Sequence, residues 1–148
     1  MAAISENSKL NTLYIGENNL SSVKTELLAK AATYLETFCI GNIDITTKQA
    51  EAIFTAIAGN SELKVLDIER NNLSSVKPEL LSKPTSKLEV LHISETSLTS
   101  PQAEEIFRLI DENSKMVMLN IADVDLSSLD LALFTRVKEK LEFFTNSH

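Results

Sequence analysis

The sequence predicts an α/β solenoid, a single domain over 1–148 in which short parallel strands and outward helices repeat in one direction. Three observations carry that expectation. Positions 10–62 and 63–115 are two copies of one 53-residue passage, aligned without a gap and identical at 26 of the 53 pairs. Within each copy the apolar pattern L-x-x-L-x-L-x-x-N-x-L recurs, giving units of 25 and then 28 residues that begin at Leu10, Leu35, Leu63, Leu88 and Met116. After each pattern the apolar period lengthens from 2 to about 3.6, as it does where a strand gives way to a helix. A repeat of about 20–50 residues marks a stacked array rather than a globule around one central core.

The strands follow from alternation within the pattern. In the first unit the inward series is Leu10, Leu13, Ile15, Asn18 and Leu20. The later series run Leu35, Phe38, Ile40, Ile43, Ile45; Leu63, Leu66, Ile68, Asn71, Leu73; Leu88, Leu91, Ile93, Thr96, Leu98; and Met116, Leu119, Ile121, Val124, Leu126. The helices follow from the longer period. Ala50, Ile53, Phe54 and Ile57 share one helical face in the second unit, as do Ala103, Ile106, Phe107 and Ile110 in the fourth. Thr46 with Gln49, and Thr99 with Gln102, have capping-box spacing, and Pro101 fits a first helical turn. In the 25-residue units Val23, Leu27 and Leu28, or Val76, Leu80 and Leu81, supply a shorter stripe, and Pro84 is expected to help end the third unit's helix.

Composition excludes several classes. A net charge of −7 disfavours nucleic acid, whose binding needs clustered Lys and Arg, and no run approaches the ~20 apolar residues of a membrane span. One cysteine, Cys39, cannot form an intramolecular disulfide, and residues 1–9 lack the apolar run of a secretion signal, so a cytoplasmic setting is expected. Asn19 and Asn72 stand in N-L-S sequons inside the repeat and are read as structural residues. No glycine-rich phosphate loop, paired-cysteine or HExxH pattern occurs, so neither enzyme activity nor a cofactor is expected.

The strand pattern and the 25/28 lengths resemble the leucine-rich repeats, in particular the ribonuclease-inhibitor-like class and the repeat arrays of NOD-like receptors. The resemblance covers 2–144. It implies a right-handed horseshoe with parallel strands on the concave face, helices on the convex face, and a role in protein recognition. Members of this class carry Asn or Cys at the ninth motif position; Asn18 and Asn71 match, whereas Ile43, Thr96 and Val124 do not. Some members activate GTPases, but Arg70 is read as a solvated charge rather than an arginine finger. Both ends look cut. Ala2–Lys9 align with Thr55–Glu62, placing the start partway through a helix, and Leu141 and Phe144 open a sixth strand that 145–148 scarcely complete. A segment of a longer array, a small protein that self-associates end to end, and a sensor segment of a NOD-like receptor all fit that pattern.

Side chains at the third, fifth and seventh positions point away from the core, with the eighth at the edge. The fifth column is Tyr14, Cys39, Asp67, His92, Asn120; the third contains Val65, Val90 and Met118; the seventh and eighth contain Glu69, Glu17, Arg70, Glu95 and Asp123. Five acids against one base make this face acidic, suiting a basic protein partner. Tyr14 is the expected anchor, with Val65, Val90 and Met118 as an apolar strip. All eight concave pairs differ between the copies, while Ser21, Ser22, Lys24, Glu26 and Lys30 recur as Ser74, Ser75, Lys77, Glu79 and Lys83. Cys39, Asp67 and His92 fall on consecutive strands, but side chains projecting in parallel at ~4.8 Å per strand do not converge as a thiol catalyst or a metal would require. They are read as solvated residues.

Overall fold

The computed structural model of the chain describes residues 10–60, 62–85, 87–113 and 115–146. The helix start expected at Ala2–Lys9 lies outside these residues, as does His148. Among these residues six strands, β1 (Thr12–Tyr14), β2 (Thr37–Cys39), β3 (Val65–Asp67), β4 (Val90–His92), β5 (Met118–Asn120) and β6 (Phe143–Thr145), alternate with five helices. The helices are α1 (Thr25–Ala32), α2 (Thr47–Ala58), α3 (Pro78–Thr85), α4 (Ser100–Asn113) and α5 (Leu131–Lys140). The strands form one open parallel sheet in chain order, and the motif register holds throughout: Thr12, Thr37, Val65, Val90, Met118 and Phe143 are successive partners. The sixth strand is thus as long as the other five and fully in register.

The core lies between sheet and helices and is continuous along the stack. Phe38, Leu66, Leu91 and Leu119, the middle residues of β2–β5, are at most 2% exposed, and they meet Ile53, Phe54, Ile57, Ile106, Phe107 and Ile110 from α2 and α4. Packing of α1 on α2, and of α3 on α4, is more extensive than packing of α2 on α3 or α4 on α5. The duplicated passage is therefore also the tighter structural pair. At the last interface Phe107, Phe134 and Phe144 form an aromatic cluster with ring centroids 5.6–6.2 Å apart.

Both capping boxes form. Thr46 Oγ1 accepts from Gln49 N at 3.1 Å and Gln49 Oε1 from Thr46 N at 2.9 Å; the Thr99/Gln102 bonds are 3.4 and 2.7 Å. Each glutamine has a second task. Buried to 1% exposure, Gln49 donates Nε2 to Leu20 O and Val23 O of the preceding unit, at 2.9 and 2.8 Å. Gln102 repeats this on Leu73 O and Val76 O at 2.7 and 2.6 Å. One amide side chain thus caps its own helix and ties down the turn before it.

α3 ends at Thr85, one residue after Pro84, and has the same length as α1, where Ala31 stands at the equivalent place. α4 extends two residues beyond the counterpart of α2, whose end falls at Gly59; the fourth unit has Glu112 there.

Candidate functional site

The face opposite the core is built by the third-, fifth- and seventh-position side chains, and the register lines them up in rows across the strands. Tyr14 stands open to solvent at 71% exposure. Glu17, Arg70 and Glu95 are exposed, whereas Cys39, Val65, Asp67, Glu69, Val90, His92, Met118 and Asn120 are half-buried. The structure brings Tyr14, Glu17, Cys39, Asp67, Glu69 and Arg70 around one notch of ≈ 270 Å³ at the β1–β3 end. Val90, His92, Glu95, Met118 and Asn120 lie further along the sheet, so Val65, Val90 and Met118 form a row on β3–β5, two strands from Tyr14 rather than beside it.

Two glycines make the notch. Gly16 and Gly41 occupy the seventh position, where later units carry Glu69, Ser94 and Ala122. A Cβ on Gly16 would stand 2.9 Å from Gly41 O, and one on Gly41 would meet Glu69 Cγ at 3.2 Å and Asp67 Oδ1 at 3.3 Å. The side chains of Asp67 and Glu69 therefore lean over bare backbone. Because the Gly16 clash is with main chain, Gly16→Ala is expected to destabilise the fold by about 1–3 kcal/mol, read by denaturant unfolding. Gly41→Ala meets mainly a flexible side chain and should cost less.

Asp67 Oδ1 accepts from Glu69 N at 3.1 Å, and the buried Ser94 hydroxyl donates to Glu69 Oε2 at 3.0 Å, which fixes both acids. Burial pushes the Asp67 carboxyl above the usual carboxylate range and the Glu69 charge adds to this, against the Glu69 N–H bond, His92 and Arg70. Arg70 is held above its usual value by Glu95, whose Oε1 lies 3.4 Å from Arg70 Nε. Both partners are well exposed, so this pair contributes little stability.

Cys39 and His92 flank Asp67 on either side in the strand register and so stand two strands apart. Burial, with the Asp67 charge second, pushes the Cys39 thiol up to about 11. It is protonated at neutral pH and a poor nucleophile. Alkylation by iodoacetamide is expected to be slow at pH 7–8 and to rise with an inflection near pH 11, moved lower in Asp67→Asn; a neutral inflection would contradict this environment.

The eighth position holds a feature the sequence did not announce. Glu17, Asn42, Arg70, Glu95 and Asp123 all have left-handed backbone, with φ between 54° and 62°. None is glycine, so every unit carries a residue in a costly conformation at this turn. The turn is braced by the ninth-position asparagine where it is present. Asn71 donates Nδ2 to Ile40 O, Ile68 O and Glu69 O at 3.0–3.2 Å, while its Oδ1 accepts from Ile43 N and Ile45 N at 3.2 Å. Thr96 keeps only the local part of this set, Oγ1 to Ile93 O at 2.6 Å.

Part of the conserved-between-copies helix side also has a structural cause. Asn19 Oδ1 accepts from Ser21 N and Oγ, and Asn72 Oδ1 from Ser74 N and Oγ. Those sequon asparagines are turn residues. Their recurrence therefore says nothing about ligands, and the contrast between the two faces rests on the remaining helix positions.

Parallel strands in an unbroken register, a buried asparagine bracing the central turn and helices behind define a leucine-rich-repeat fold similar to the repeats of NOD-like receptors, a fold used as a protein-interaction module. A family model described as Leucine Rich Repeat matches residues 62–84. NACHT, LRR and PYD domains-containing protein 3 of Rattus norvegicus is 27% identical over 134 residues, covering 85% of this chain and 13% of that protein. The Homo sapiens protein of the same name is 25% identical over 144 residues, covering 92% and 14%. This chain thus spans about one seventh of their length. Among solved structures, the tropomodulin C-terminal domain of Caenorhabditis elegans has a TM-score of 0.66 at 20% identity, covering 93% of this chain and 85% of that one. A leiomodin-1 structure titled Actin-Binding Site 2 has a TM-score of 0.62 at 15% identity, covering 93% and 83%. At such identities these two share the fold.

Proposed function

We propose that the chain is a non-catalytic, cytoplasmic interaction module that takes a basic protein partner on its concave strand face. A lysine or arginine of that partner would sit in the glycine-floored notch. The notch carries the reading: it sets Glu17, Asp67 and Glu69 against the single cation Arg70 around ≈ 270 Å³, with two of the acids positioned by hydrogen bonds. A partner's cation would favour the ionised form of Asp67, which burial disfavours. A neighbour of the same fold titled for actin binding supports a protein as occupant of such an array. The exposed ring of Tyr14 offers a stacking surface for a guanidinium.

The test is titration with short acetylated Lys- and Arg-containing peptides, followed by tyrosine fluorescence in a Tyr34→Phe background so that Tyr14 alone reports, at low and high salt. Binding should weaken as salt rises, and should also weaken as pH falls through the raised Asp67 pKa, because protonation removes the charge the cation meets. Asp67→Asn with Glu69→Gln should abolish most of it. Equal binding of Glu-containing peptides would contradict the reading.

End-to-end association is the second reading, favoured by Leu131, which is 77% exposed at the last unit beside Phe134. Leu141 and Phe144, which open the sixth strand, are buried and half-buried, so polar substitutions there would damage the fold itself. Leu131→Ser tests it cleanly. Light scattering over a hundredfold concentration range should show growth that this variant removes, and a constant monomer would exclude the reading.

A further inference from the structure

The strand face is polarised, and the polarity defines the shape of its partner. On the third-position row the first two strands present Thr12 and Thr37, but β3–β6 present Val65, Val90, Met118 and Phe143, an apolar edge that ends with Phe143 at 57% exposure. Four or five residues further on, past the end of each strand, the seventh- and eighth-position row carries Glu69, Glu95 and Asp123. Between them lies a polar middle row of Asp67, His92 and Asn120.

Two dimensions matter. At ~3.3 Å per residue the polar middle row stands about 7 Å from the apolar row, the acidic row lies on the turns just beyond it, and at ~4.8 Å per strand the apolar row is about 14 Å long. A single extended chain is too narrow to reach both rows, and the inner strands are already paired on both sides, so they offer it no backbone hydrogen bonds. A helix is about 10–12 Å across with side chains, and ten residues of it span about 15 Å. It meets both rows at once.

We infer that this face accepts one amphipathic helix of about ten residues lying across β3–β6, with an apolar stripe on Val65, Val90, Met118 and Phe143 and an adjacent basic stripe facing Asp67, Glu69 and Glu95. The inference rests on the reading of the strand face as the partner-binding surface. It adds the partner's secondary structure and the apolar half of the contact. Charge complementarity decides the second stripe: an acidic one would face like charge across the whole row.

The probe is a synthetic 15-residue helical peptide with a Leu stripe beside a Lys stripe, compared with the same composition scrambled, with a central proline, and with Glu replacing Lys. The full chain and its variants are titrated by fluorescence anisotropy, each variant checked first for unchanged thermal unfolding. Binding of the striped peptide alone is expected. Phe143→Ala and Val90→Thr, both mild changes at accessible sites, should each weaken it about fivefold to tenfold. Asp67→Asn with Glu69→Gln should weaken it and flatten its salt dependence, and Leu131→Ser should leave it unchanged. Scrambled or proline-containing peptides binding equally well would overturn the inference. So would loss of affinity in Leu131→Ser, which would place the peptide at the end of the stack. If only the acid pair matters and Phe143→Ala is silent, the helix is refuted while the acidic seat for a cation stands. If neither the acid pair nor the apolar row matters, the strand-face reading falls too.

Discussion

Leu66→Ala is expected to cost about 2–5 kcal/mol, because Leu66 is fully buried at the centre of β3 and its loss leaves a cavity that both neighbouring strands enclose. The larger consequence is for cooperativity. Units in a stack touch only their neighbours, so the sheet and the weaker α2–α3 contact are what couple the first copy to the second. Weakening the middle of the sheet should split one unfolding transition into two, visible as divergence between tyrosine fluorescence, which reports Tyr14 and Tyr34 of the first copy, and helical circular dichroism. A single coincident transition with undiminished stability would mean that the helices, not the sheet, carry the coupling.

Gln102→Leu is expected to cost about 2–4 kcal/mol although it replaces a polar residue by an apolar one of similar size. The amide meets three needs at once: its Oε1 satisfies Thr99 N, and its Nε2 satisfies Leu73 O and Val76 O. Leucine fills the space and leaves these groups without their bonds, each at about 1–3 kcal/mol where no second partner compensates; Leu73 O keeps a bond from Val76 N at 3.0 Å. Gln102→Glu should be at least as harmful at neutral pH, since it retains the acceptor but aims carboxylate oxygen at two carbonyls. Denaturant melts of the three proteins check this, and a neutral leucine variant would show that water replaces the amide. Gln49 occupies the same place in the first copy and should behave alike.

The fold was legible because it depends on periodicity. Alternation at Leu63, Leu66 and Ile68, repeated in register five times, fixes a parallel sheet with one buried face, and the stripe of Ile53, Phe54 and Ile57 fixes what covers it. The duplication removes the ambiguity that a short apolar run would carry alone. Capping boxes were legible for the same reason, being local patterns of adjacent residues.

What escaped the sequence depends on contacts between units. That Gln49 reaches back 29 residues to Leu20 O requires knowing how far the turn stands from the helix start. The left-handed backbone at Glu17, Arg70, Glu95 and Asp123 carries no glycine to reveal it, because the stacking of turns, not residue preference, imposes it. Gly16 and Gly41 stood in the seventh column from the outset, yet only their adjacency, with Gly41 O against the missing Gly16 side chain, turns two small residues into a notch. Phe143 was overlooked for another reason. From the sequence the sixth unit looks incomplete, whereas its strand pairs fully with β5 and extends the apolar row by its most exposed member.

The most direct test of the strand face as the binding surface is residue-resolved mapping by NMR, titrating labelled protein with an Arg/Lys decapeptide at low salt. The expected result is that shifts gather on Tyr14, Gly16, Gly41, Asp67 and Glu69 and fade as salt is raised. Shifts gathered instead on the exposed helix positions Glu26 and Glu79, with Gly16 and Gly41 unmoved, would contradict it.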